Sequence, residues 1–285
     1  MLIVRASGGI GNQMFQYAFY RSLQERGKEV YFDVSWFEKY SKDDDMSFQL
    51  YLLNTTYCEP KSIIIPEWLH DDTNIIYKFL RRYQIDCFKL FFEKENCKYD
   101  PNVYNLDNQY LIGCWQTEKY FLDFKDILRK ELSYCNYFDN KNQSYIEEMS
   151  KGESVSVHVR RGDYLQHSKI FGNICTEDYY TKAFDYIEKN VKNPVFYIFS
   201  NDIKWCRSFF SNRGWSIRFV EGNSGRNAFM DMVLMQKCKN HIIANSSFSW
   251  WGAWLSEREG IVLAPNKWFN GSSTPDIWSD SWIKL

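Results

Sequence analysis

The chain reads Val155-Ser156-Val157-His158-Val159-Arg160-Arg161-Gly162-Asp163-Tyr164 at the start of its second half, and no other segment is as informative about the fold. Valines alternate with Ser156 and His158, which is the period-two pattern of a β-strand. The valines therefore share one face of the strand, and the polar side chains share the other. Arg160 comes at the carboxyl end of this strand, where ligands bind in open α/β sheets.

The second half of the chain alternates short apolar runs with helical patterns. Strands are predicted at 155–159, 195–199, 217–220, 241–244 and 261–263. Helices are predicted at 176–191, with Thr176 as the N-cap, and at 203–211, 227–238 and 247–257. Such alternation predicts a regular parallel sheet with right-handed crossovers and helices on both faces.

The first half opens in the same way, with a strand at 2–6, a Gly-rich loop at 7–13, a helix to about residue 26 and a strand at 29–34. Residues 41–110 lack clean periodicity and indicate irregular insertions around a smaller sheet. With 285 residues, two domains are expected, 1–148 and 149–285. The polar stretch 140–152 marks the boundary, although Glu147 and Glu148 could belong to a helix. Two facing sheets would enclose a ligand-binding cleft.

The amino-acid composition excludes several classes of protein. The chain is 45% hydrophobic and 25% charged, with 35 basic against 36 acidic residues, so it is neither disordered nor a dedicated nucleic-acid binder. Its eight cysteines form no CxxC pair and no zinc-type spacing, which favours reduced thiols and the cytoplasm. No signal peptide or transmembrane segment is recognised. A peripheral contact with the inner face of the cytoplasmic membrane stays open.

Arg160 suits a diphosphate, because a guanidinium donates two parallel hydrogen bonds and keeps its charge at any working pH. The structural alternative is that Arg160, Arg161 and Asp163 form an ion-pair knot at the strand end. A second candidate phosphate contact is the segment 244–255, in which a turn of small polar residues precedes an aromatic helix. There Ser246 or Ser247 could instead be a plain N-cap. The tryptophans at 250, 251 and 254 are interpreted as core, since their spacing is that of a packed face.

Two further sequence patterns are candidate ligand-binding sites, but they are less specific than the first two. The loop Gly9-Ile10-Gly11-Asn12-Gln13-Met14 resembles a dinucleotide fingerprint with Asp33 placed for a ribose, but it lacks the third glycine. Asp231 lies in an apolar helical run, where a carboxylate needs a partner. It could be structural, or it could accept hydrogen bonds from guanine N1 and the exocyclic amine.

A metal site is not favoured by the sequence. The acidic run 43–45 fits a solvated loop, and Asp202 fits a helix N-cap better than a cation ligand. The P-loop, the GxSxG elbow and the HExxH motif are all missing from the sequence. Kinase, hydrolase and zinc-protease functions are therefore not expected. Trp36, Trp68 and Trp115 could be sugar platforms, although such residues are more often core.

Three ordered motifs resemble the bacterial α-1,2-fucosyltransferases of glycosyltransferase family 11. They are Gly8-Gly9-Ile10-Gly11-Asn12-Gln13-Met14-Phe15-Gln16-Tyr17-Ala18, residues 158–164 of the opening stretch, and the segment 244–255. The resemblance implies a GT-B-like fold of two Rossmann-like domains facing a cleft. It also implies inverting transfer of L-fucose from GDP-fucose to the 2-hydroxyl of galactose in an oligosaccharide or lipid-linked glycan, with no cofactor and no essential metal.

The resemblance also implies roles for single residues. Arg160 would bind the β-phosphate and stabilise the leaving GDP, His158 would lie near the guanosine, and Asp231 would hold guanine. Asn245, Ser246, Ser247 and Phe248 would form the phosphate-binding turn. Asn12, beside Gly11, would close over the pyrophosphate from the other domain.

The sequence does not identify the catalytic base. Asp163 is available, but it could instead brace an arginine. Two alternatives are kept open: an oxidoreductase dependent on NAD or a nucleotide sugar, built on the amino-terminal loop and Asp33, and a lectin-like module built on the aromatic residues.

Overall fold

The computed structural model describes residues 1–40, 46–60, 89–134, 136–162, 164, 167–211, 213–271 and 275–285. These residues divide into two units, Met1–Cys135 and Asn136–Leu285. Asp163, the acidic run 43–45 and Trp68 lie outside the described residues. No helix in these described ranges is both long enough and apolar enough to cross a membrane.

The N-terminal unit is built on a four-stranded parallel sheet. Its strands are β1 (Leu2–Arg5), β2 (Val30–Asp33), β3 (Lys89–Phe92) and β4 (Gln109–Ile112), in the order β2-β1-β4-β3. Among its described residues the helices are α1 (Ile10–Glu25), α2 (Trp36–Tyr40) and α3 (Lys125–Glu131). Short 3-10 helices lie at Leu50–Leu52, Pro101–Asn105, Glu118–Tyr120 and Leu122–Phe124. The first two of these agree with the irregularity predicted for 41–110, of which residues 46–60 and 89–110 are described.

Helix α1 is buried over most of its surface and ends where the sequence predicts. Gly27 adopts a φ of +77°, and its amide donates to the carbonyl of Gln24 at 2.8 Å. The next amide, that of Lys28, reaches back to the carbonyl of Leu23 at 3.0 Å. A glycine in the left-handed region with this pair of bonds is a common helix stop, because it satisfies carbonyls that the helix leaves open.

The C-terminal unit is built on a six-stranded parallel sheet. Its strands are β5 (Ser154–Val159), β6 (Val195–Ser200), β7 (Ile217–Phe219), β8 (Asn240–Ile242), β9 (Val262–Ala264) and β10 (Ile283–Lys284), in the order β10-β9-β8-β5-β6-β7. In the described part of this unit the helices are α4 (Asn140–Ser150), α5 (Ser168–Phe171), α6 (Glu177–Asn190), α7 (Ile203–Phe210), α8 (Phe229–Met235) and α9 (Ser247–Trp254), and a 3-10 helix lies at Gly225–Asn227. This strand order is that of dinucleotide-binding sheets.

The predicted alternation of strands and helices is confirmed. All five predicted strands are present, and Thr176 caps α6 by accepting from the amide of Tyr179. Helices α8 and α9 end earlier than predicted, at Met235 and Trp254. The sixth strand, β10, was not predicted because two residues are too few to give a periodic signal.

Helices cover both faces of the C-terminal sheet, as predicted. Val157 of β5 packs in one core with Phe184 of α6, whose ring stacks on Phe196 of β6 at 4.0 Å. On the opposite face, Tyr197 of β6 packs in a second core with Leu234 of α8. Because adjacent residues of β6 point into different cores, the strand is buried on both sides, which is typical of parallel sheets.

The boundary between the two units lies at 135/136, earlier in the sequence than the predicted boundary at 148/149. Helix α4, which spans most of the polar stretch, belongs to the C-terminal unit. Asp139 caps it by accepting from the amide of Asn142, and Met149 is buried in the core that contains Leu234. The polar residues of 140–152 therefore form the exposed face of a packed helix, and the suggestion that Glu147 and Glu148 belong to a helix is confirmed.

Candidate functional site

The strand order of the C-terminal unit reverses between β5 and β8. From β5 the chain proceeds through β6 to β7 on one side, and β8 then pairs on the other side, with Val157 opposite Ile242. A crevice forms at the carboxyl ends of two such strands, because the connections after them lead away in opposite directions. Arg160 follows β5 directly, and the turn 243–246 follows β8.

The polar face of β5 is arranged as the alternation predicts. Ser156 Oγ lies 2.8 Å from Nδ1 of His241 on the neighbouring strand β8, and both side chains are buried. One step closer to the carboxyl end, the ring of His158 lies 5.6 Å from the ring of Phe248. His158 and Phe248, which belong to different motifs, are thus in contact at the crevice.

His158 is buried and only 5% exposed. Burial, with a smaller contribution from the Arg160 charge, lowers the pKa of its imidazole to about 3, so the ring is neutral at physiological pH. Its Nδ1 atom has no hydrogen-bond partner among the residues that the structure describes. Tyr180 donates its hydroxyl to the His158 carbonyl at 2.9 Å and fixes the backbone here.

Arg160 and Arg161 have different surroundings. Arg161 Nε lies 3.2 Å from Asp202 Oδ2, and its guanidinium stacks 4.2 Å above Trp205. Arg160 is half-buried, with its guanidinium 5.9 Å from the ring of Tyr164. Arg161 and Asp202 therefore form an ion pair at this strand end, while Asp163 of the predicted knot lies outside the described residues. Asp202 also caps α7 by accepting from the amide of Trp205 at 3.1 Å, which confirms its predicted N-cap role.

The turn after β8 is held by its own polar side chains. Asn245 is 3% exposed, and its amide donates to the carbonyls of Phe171 and Trp268 at 3.2 and 3.1 Å. Its backbone carbonyl accepts from the hydroxyl of Tyr164 at 2.9 Å. The Asn245 side chain is thus engaged within the protein, so it positions the turn, and Tyr164 links this turn to the Arg160 segment.

Ser246 confirms the N-cap interpretation, since its Oγ accepts from the amide of Phe248 at 3.4 Å. Ser247 and Phe248 are half-buried in the first turn of α9. The tryptophans of this helix are core, as predicted, and Trp250 donates its indole N–H to the carbonyl of Ile277 at 2.6 Å. Helix α9 therefore directs its amino-terminal end at the crevice and buries its aromatic body.

We expect Asn245→Ala to lower the free energy of unfolding by about 1–3 kcal/mol, because the buried Trp268 carbonyl and the partly buried Phe171 carbonyl lose their donor. Urea denaturation measures this loss. Asn190→Ala is the matched control, since Asn190 also donates to a carbonyl, that of Tyr186, but does so at the surface. An equal effect of both substitutions would show that the Asn245 bonds do not brace the turn.

Asp231 lies on α8 within a chain of amides. Its Oδ1 accepts from Asn223 Nδ2 at 2.8 Å, and Asn223 also exchanges hydrogen bonds with Asn142 on α4. Burial raises the pKa of Asp231 to about 7, and the bond from Asn223 opposes this rise. One carboxyl oxygen is therefore fixed by Asn223. Helix α8 packs against α9, so Asp231 and Phe248 belong to neighbouring elements.

The Gly-rich loop of the N-terminal unit is tighter than predicted, because helix α1 already begins at Ile10. Gly11 is therefore buried in the first turn, and Asn12 is half-buried beside it. Gly8 has a φ of +78°, and a Cβ there would lie 2.9 Å from Asn12 Nδ2. Asn12 Oδ1 accepts from Gln116 Nε2 at 2.7 Å, which ties the loop after β1 to the segment after β4.

Asp33 does not suit a ribose contact. It is 2% exposed, one oxygen accepts from the amide of Ser35 at 2.9 Å, and the other accepts from the hydroxyl of Tyr110. Both oxygens are thus used inside the N-terminal unit. The residue on which the oxidoreductase alternative depended is structural.

Sequence reasoning missed Tyr164, Asn223 and Gln116. Each acts through a contact with a residue distant in the sequence, so no local pattern marked it, although Tyr164 lies at the end of the stretch 155–164. In the described ranges, no group of three or more His, Cys, Asp or Glu side chains is placed to hold a metal ion.

The family model for glycosyl transferase family 11 matches residues 1–285. The chain belongs to this family and is a glycosyltransferase. Family membership leaves no support for the oxidoreductase and lectin-like alternatives.

Three known proteins illustrate the similarity. The chain is 34% identical to an α-1,2-colitosyltransferase of Escherichia coli, over 100% of this chain and 99% of that one. It is 27% identical to galactoside α-(1,2)-fucosyltransferase 1 of Saimiri boliviensis boliviensis, over 51% of this chain and 42% of that one. The crystal structure of NodZ α-1,6-fucosyltransferase co-crystallised with GDP is 13% identical, with a TM-score of 0.50, and the match covers 88% of this chain and 91% of that one. The fold is of the GT-B type, with two parallel-sheet units, as predicted.

Proposed function

We propose that the protein transfers L-fucose from GDP-fucose to the 2-hydroxyl of a galactose unit in an oligosaccharide or glycolipid, with inversion at the sugar. The observation that carries this proposal is the meeting of His158, Phe248 and the start of α9 at the end of β5, with Arg160 on the same edge. Arginine and a helix N-terminus are two groups that proteins use to bind a diphosphate.

Arg160 would act on the leaving group. When the bond between fucose and GDP breaks, negative charge grows on the β-phosphate, while the sugar takes on oxocarbenium character. A fixed guanidinium and the positive amino-terminal end of the α9 dipole would stabilise that charge without reorganising. This arrangement would do the work of a metal ion, so we expect neither a metal nor another cofactor to be essential. GDP-fucose is a substrate.

Asp231 would read the base. A carboxylate accepts from guanine N1 and from the exocyclic amine, a donor pair that adenine lacks. Asn223 fixes one Asp231 oxygen and so orients the carboxyl group. His158, being neutral, would lie by the guanosine without repelling Arg160. Ser246 and Ser247 would contact the phosphates through the first turn of α9.

In the N-terminal unit, Gly11 and Asn12 would bind the pyrophosphate. Gln116 holds Asn12 in place through its amide, which supports a fixed role for that residue. Asp163 stays the candidate base for the acceptor proton, and it lies outside the described residues.

Colitose is the second candidate donor sugar. The relative in Escherichia coli that matches the whole chain is named an α-1,2-colitosyltransferase. Colitose is L-fucose without its 3-hydroxyl, so the two donors differ by one polar group. A site that hydrogen-bonds this hydroxyl would reject GDP-colitose strongly, roughly 10⁴-fold or more, whereas an apolar site would accept it.

In the direct experiment, the enzyme is incubated with methyl β-galactoside and either GDP-fucose or GDP-colitose. NMR then identifies the linkage in the product. We expect an α-1,2-linked fucosyl galactoside. If only a colitosyl product forms, the donor is GDP-colitose and not GDP-fucose. If the sugar is attached to another hydroxyl, the 2-hydroxyl is not the acceptor position. Release of GDP from neither donor would contradict the proposal.

We also propose that the enzyme works in the cytoplasm, with peripheral contact at the membrane when the acceptor is lipid-linked. The six cysteines within the described ranges are free thiols, which supports a reducing compartment. No partner other than the donor and the glycan acceptor is proposed, and nucleic acid is not among them.

A further inference from the structure

A cavity of about 180 Å³ lies in the N-terminal unit, next to the ends of β3 and β4. Its lining includes the fully buried residues Val103, Trp115 and Tyr120 and the half-buried Glu93. Exposed charged side chains, among them Glu95, form its rim. Cavities for drug-sized ligands measure roughly 300–1,000 Å³, so this one suits a single ring.

Two residues of this lining each carry a buried side-chain atom that forms no hydrogen bond of normal geometry with the described residues, although the Cys97 amide also acts on the Glu93 carboxyl and lowers its pKa. The two atoms are Oε1 of Glu93, an acceptor, and Nε1 of Trp115, a donor. The other Glu93 oxygen, Oε2, accepts from the amides of Cys114 and Trp115 at 2.7 and 3.1 Å. The Glu93 carboxyl is therefore held firmly on one side. Buried polar groups without partners are uncommon in folded proteins, and each calls for a specific explanation.

The backbone around the cavity holds these two side chains in a constrained geometry. A Cβ on Gly113 would lie 2.7 Å from Glu93 Cβ and 2.9 Å from Trp115 Cε2, so only glycine fits between them. Trp115 and Cys97 have φ values of +55° and +59°, which are unusual for residues other than glycine. Such conformations cluster at ligand-binding sites.

The cavity adjoins the loop to which we assign donor contacts. Gln116, the residue after Trp115, donates to Asn12 Oδ1 at 2.7 Å and accepts from Cys97 Sγ at 3.2 Å. A ligand beside Trp115 would thus lie one residue away from the group that positions Asn12.

We propose that this cavity binds one pyranose ring of the acceptor glycan, with Glu93 Oε1 accepting from one sugar hydroxyl and Trp115 Nε1 donating to another. This inference rests on the proposed function. A sugar hydroxyl both donates and accepts, so a pyranose can satisfy both atoms, while aromatic rings such as Tyr120 suit its C–H face. Burial raises the pKa of Glu93, which disfavours the charged form that a cation would need.

The test compares Glu93→Gln and Trp115→Phe with wild type at saturating GDP-fucose. Glutamine can keep its carbonyl oxygen on the Cys114 and Trp115 amides and places a donor where Oε1 was. Phenylalanine removes the indole donor and keeps an aromatic ring. We expect the KM for the galactoside to rise about tenfold or more in each, with the KM for GDP-fucose and the acceptor-free release of GDP unchanged.

Two matched controls carry the same chemical changes away from the cavity. Glu29→Gln alters an exposed carboxylate before β2, and Trp215→Phe removes an indole donor that bonds Glu188 at the surface of the C-terminal unit. Both should keep the wild-type galactoside KM. An unchanged galactoside KM in Glu93→Gln and Trp115→Phe would overturn the inference.

A third variant is available if Trp115→Phe does not fold, and a second measurement does not need GDP-fucose. If circular dichroism shows that Trp115→Phe is misfolded, Glu95→Trp blocks the exposed rim and should raise the galactoside KM in the same way. Saturation-transfer NMR with methyl β-galactoside needs no GDP-fucose, so it separates the two claims. A saturation-transfer signal that disappears in Glu93→Gln supports the cavity even if GDP-fucose proves not to be the donor, and a signal that persists in this variant contradicts it.

Discussion

Arg160→Ala will lower the turnover number with GDP-fucose by roughly 10²–10³-fold, the loss seen when one fixed donor to a developing anion is removed. The guanidinium follows β5 at the crevice, and the neutral His158 beside it carries no charge that could replace it. The KM for GDP-fucose should change less than the turnover number, because charge on the β-phosphate grows mainly in the transition state. Initial rates across a range of donor concentrations measure both quantities.

Two variants control this prediction. Arg207→Ala removes an arginine of α7 that pairs with Glu221 at the surface, so its rates should match those of wild type. Arg160→Lys keeps the charge but not the planar fork, and should recover only part of the rate. Near-normal turnover in a folded Arg160→Ala protein would show that another group stabilises the leaving GDP.

Asp231→Asn will weaken GDP binding on the order of 10²-fold and remove the preference for GDP over ADP. A carboxylate accepts both guanine donors, and hydrogen bonds to a charged group contribute about 1.5–3 kcal/mol each. An asparagine side chain presents one acceptor and one donor, so one of the two bonds becomes a repulsive contact. Calorimetric titration with both nucleotides measures the change.

The pH dependence of GDP binding supplies a second signature of Asp231. Its pKa is raised to about 7 by burial, and only the ionised form accepts both hydrogens. Between pH 7 and 6 the GDP affinity should therefore fall more steeply in wild type than in Asp231→Asn, because the variant keeps only the titration of the GDP β-phosphate, whose second pKa is about 6. Equal slopes in the two proteins would assign the titration to another group.

Stability provides the check that these effects are not caused by unfolding. A carboxyl group whose pKa is higher in the folded than in the unfolded state makes the protein less stable as pH rises from about 4 to 7. Replacing Asp231 by the neutral asparagine should thus not lower the melting temperature at pH 8, since Asn223 can still donate to the new amide oxygen. Asp185→Asn, at an exposed position on α6, is the matched control.

Local patterns predicted the C-terminal unit well. Period-two alternation identified β5 because each valine contributes to a core beneath α6, while Ser156 and His158 point the other way. Capping residues identify the starts of α6 and α9. Thr176 accepts a hydrogen bond from the amide of Tyr179, and Ser246 accepts one from the amide of Phe248. These features depend on neighbouring residues, so the sequence contains the whole signal.

Contacts between distant residues were not predictable in the same way. Asn12 meets Gln116, and Asp33 meets Tyr110, only because β1, β2 and β4 are neighbours in the sheet. Asp33 therefore has the sequence spacing of a ribose ligand, while both of its oxygens accept hydrogen bonds inside the N-terminal unit. Polarity likewise suggested a boundary at 148/149, whereas the buried Met149 shows that α4 packs on the C-terminal unit.

Calorimetric titration of the wild-type protein with GDP, GMP, ADP and NAD, each with and without EDTA, measures whether the edge between β5 and β8 binds GDP through Arg160, the start of α9 and Asp231. We predict that GDP binds, that GMP and ADP bind at least tenfold more weakly, that NAD does not bind, and that EDTA changes none of these affinities. Equal affinity for GMP and GDP, binding of NAD in place of GDP, or loss of GDP binding in EDTA would show that this edge is not a metal-independent GDP site.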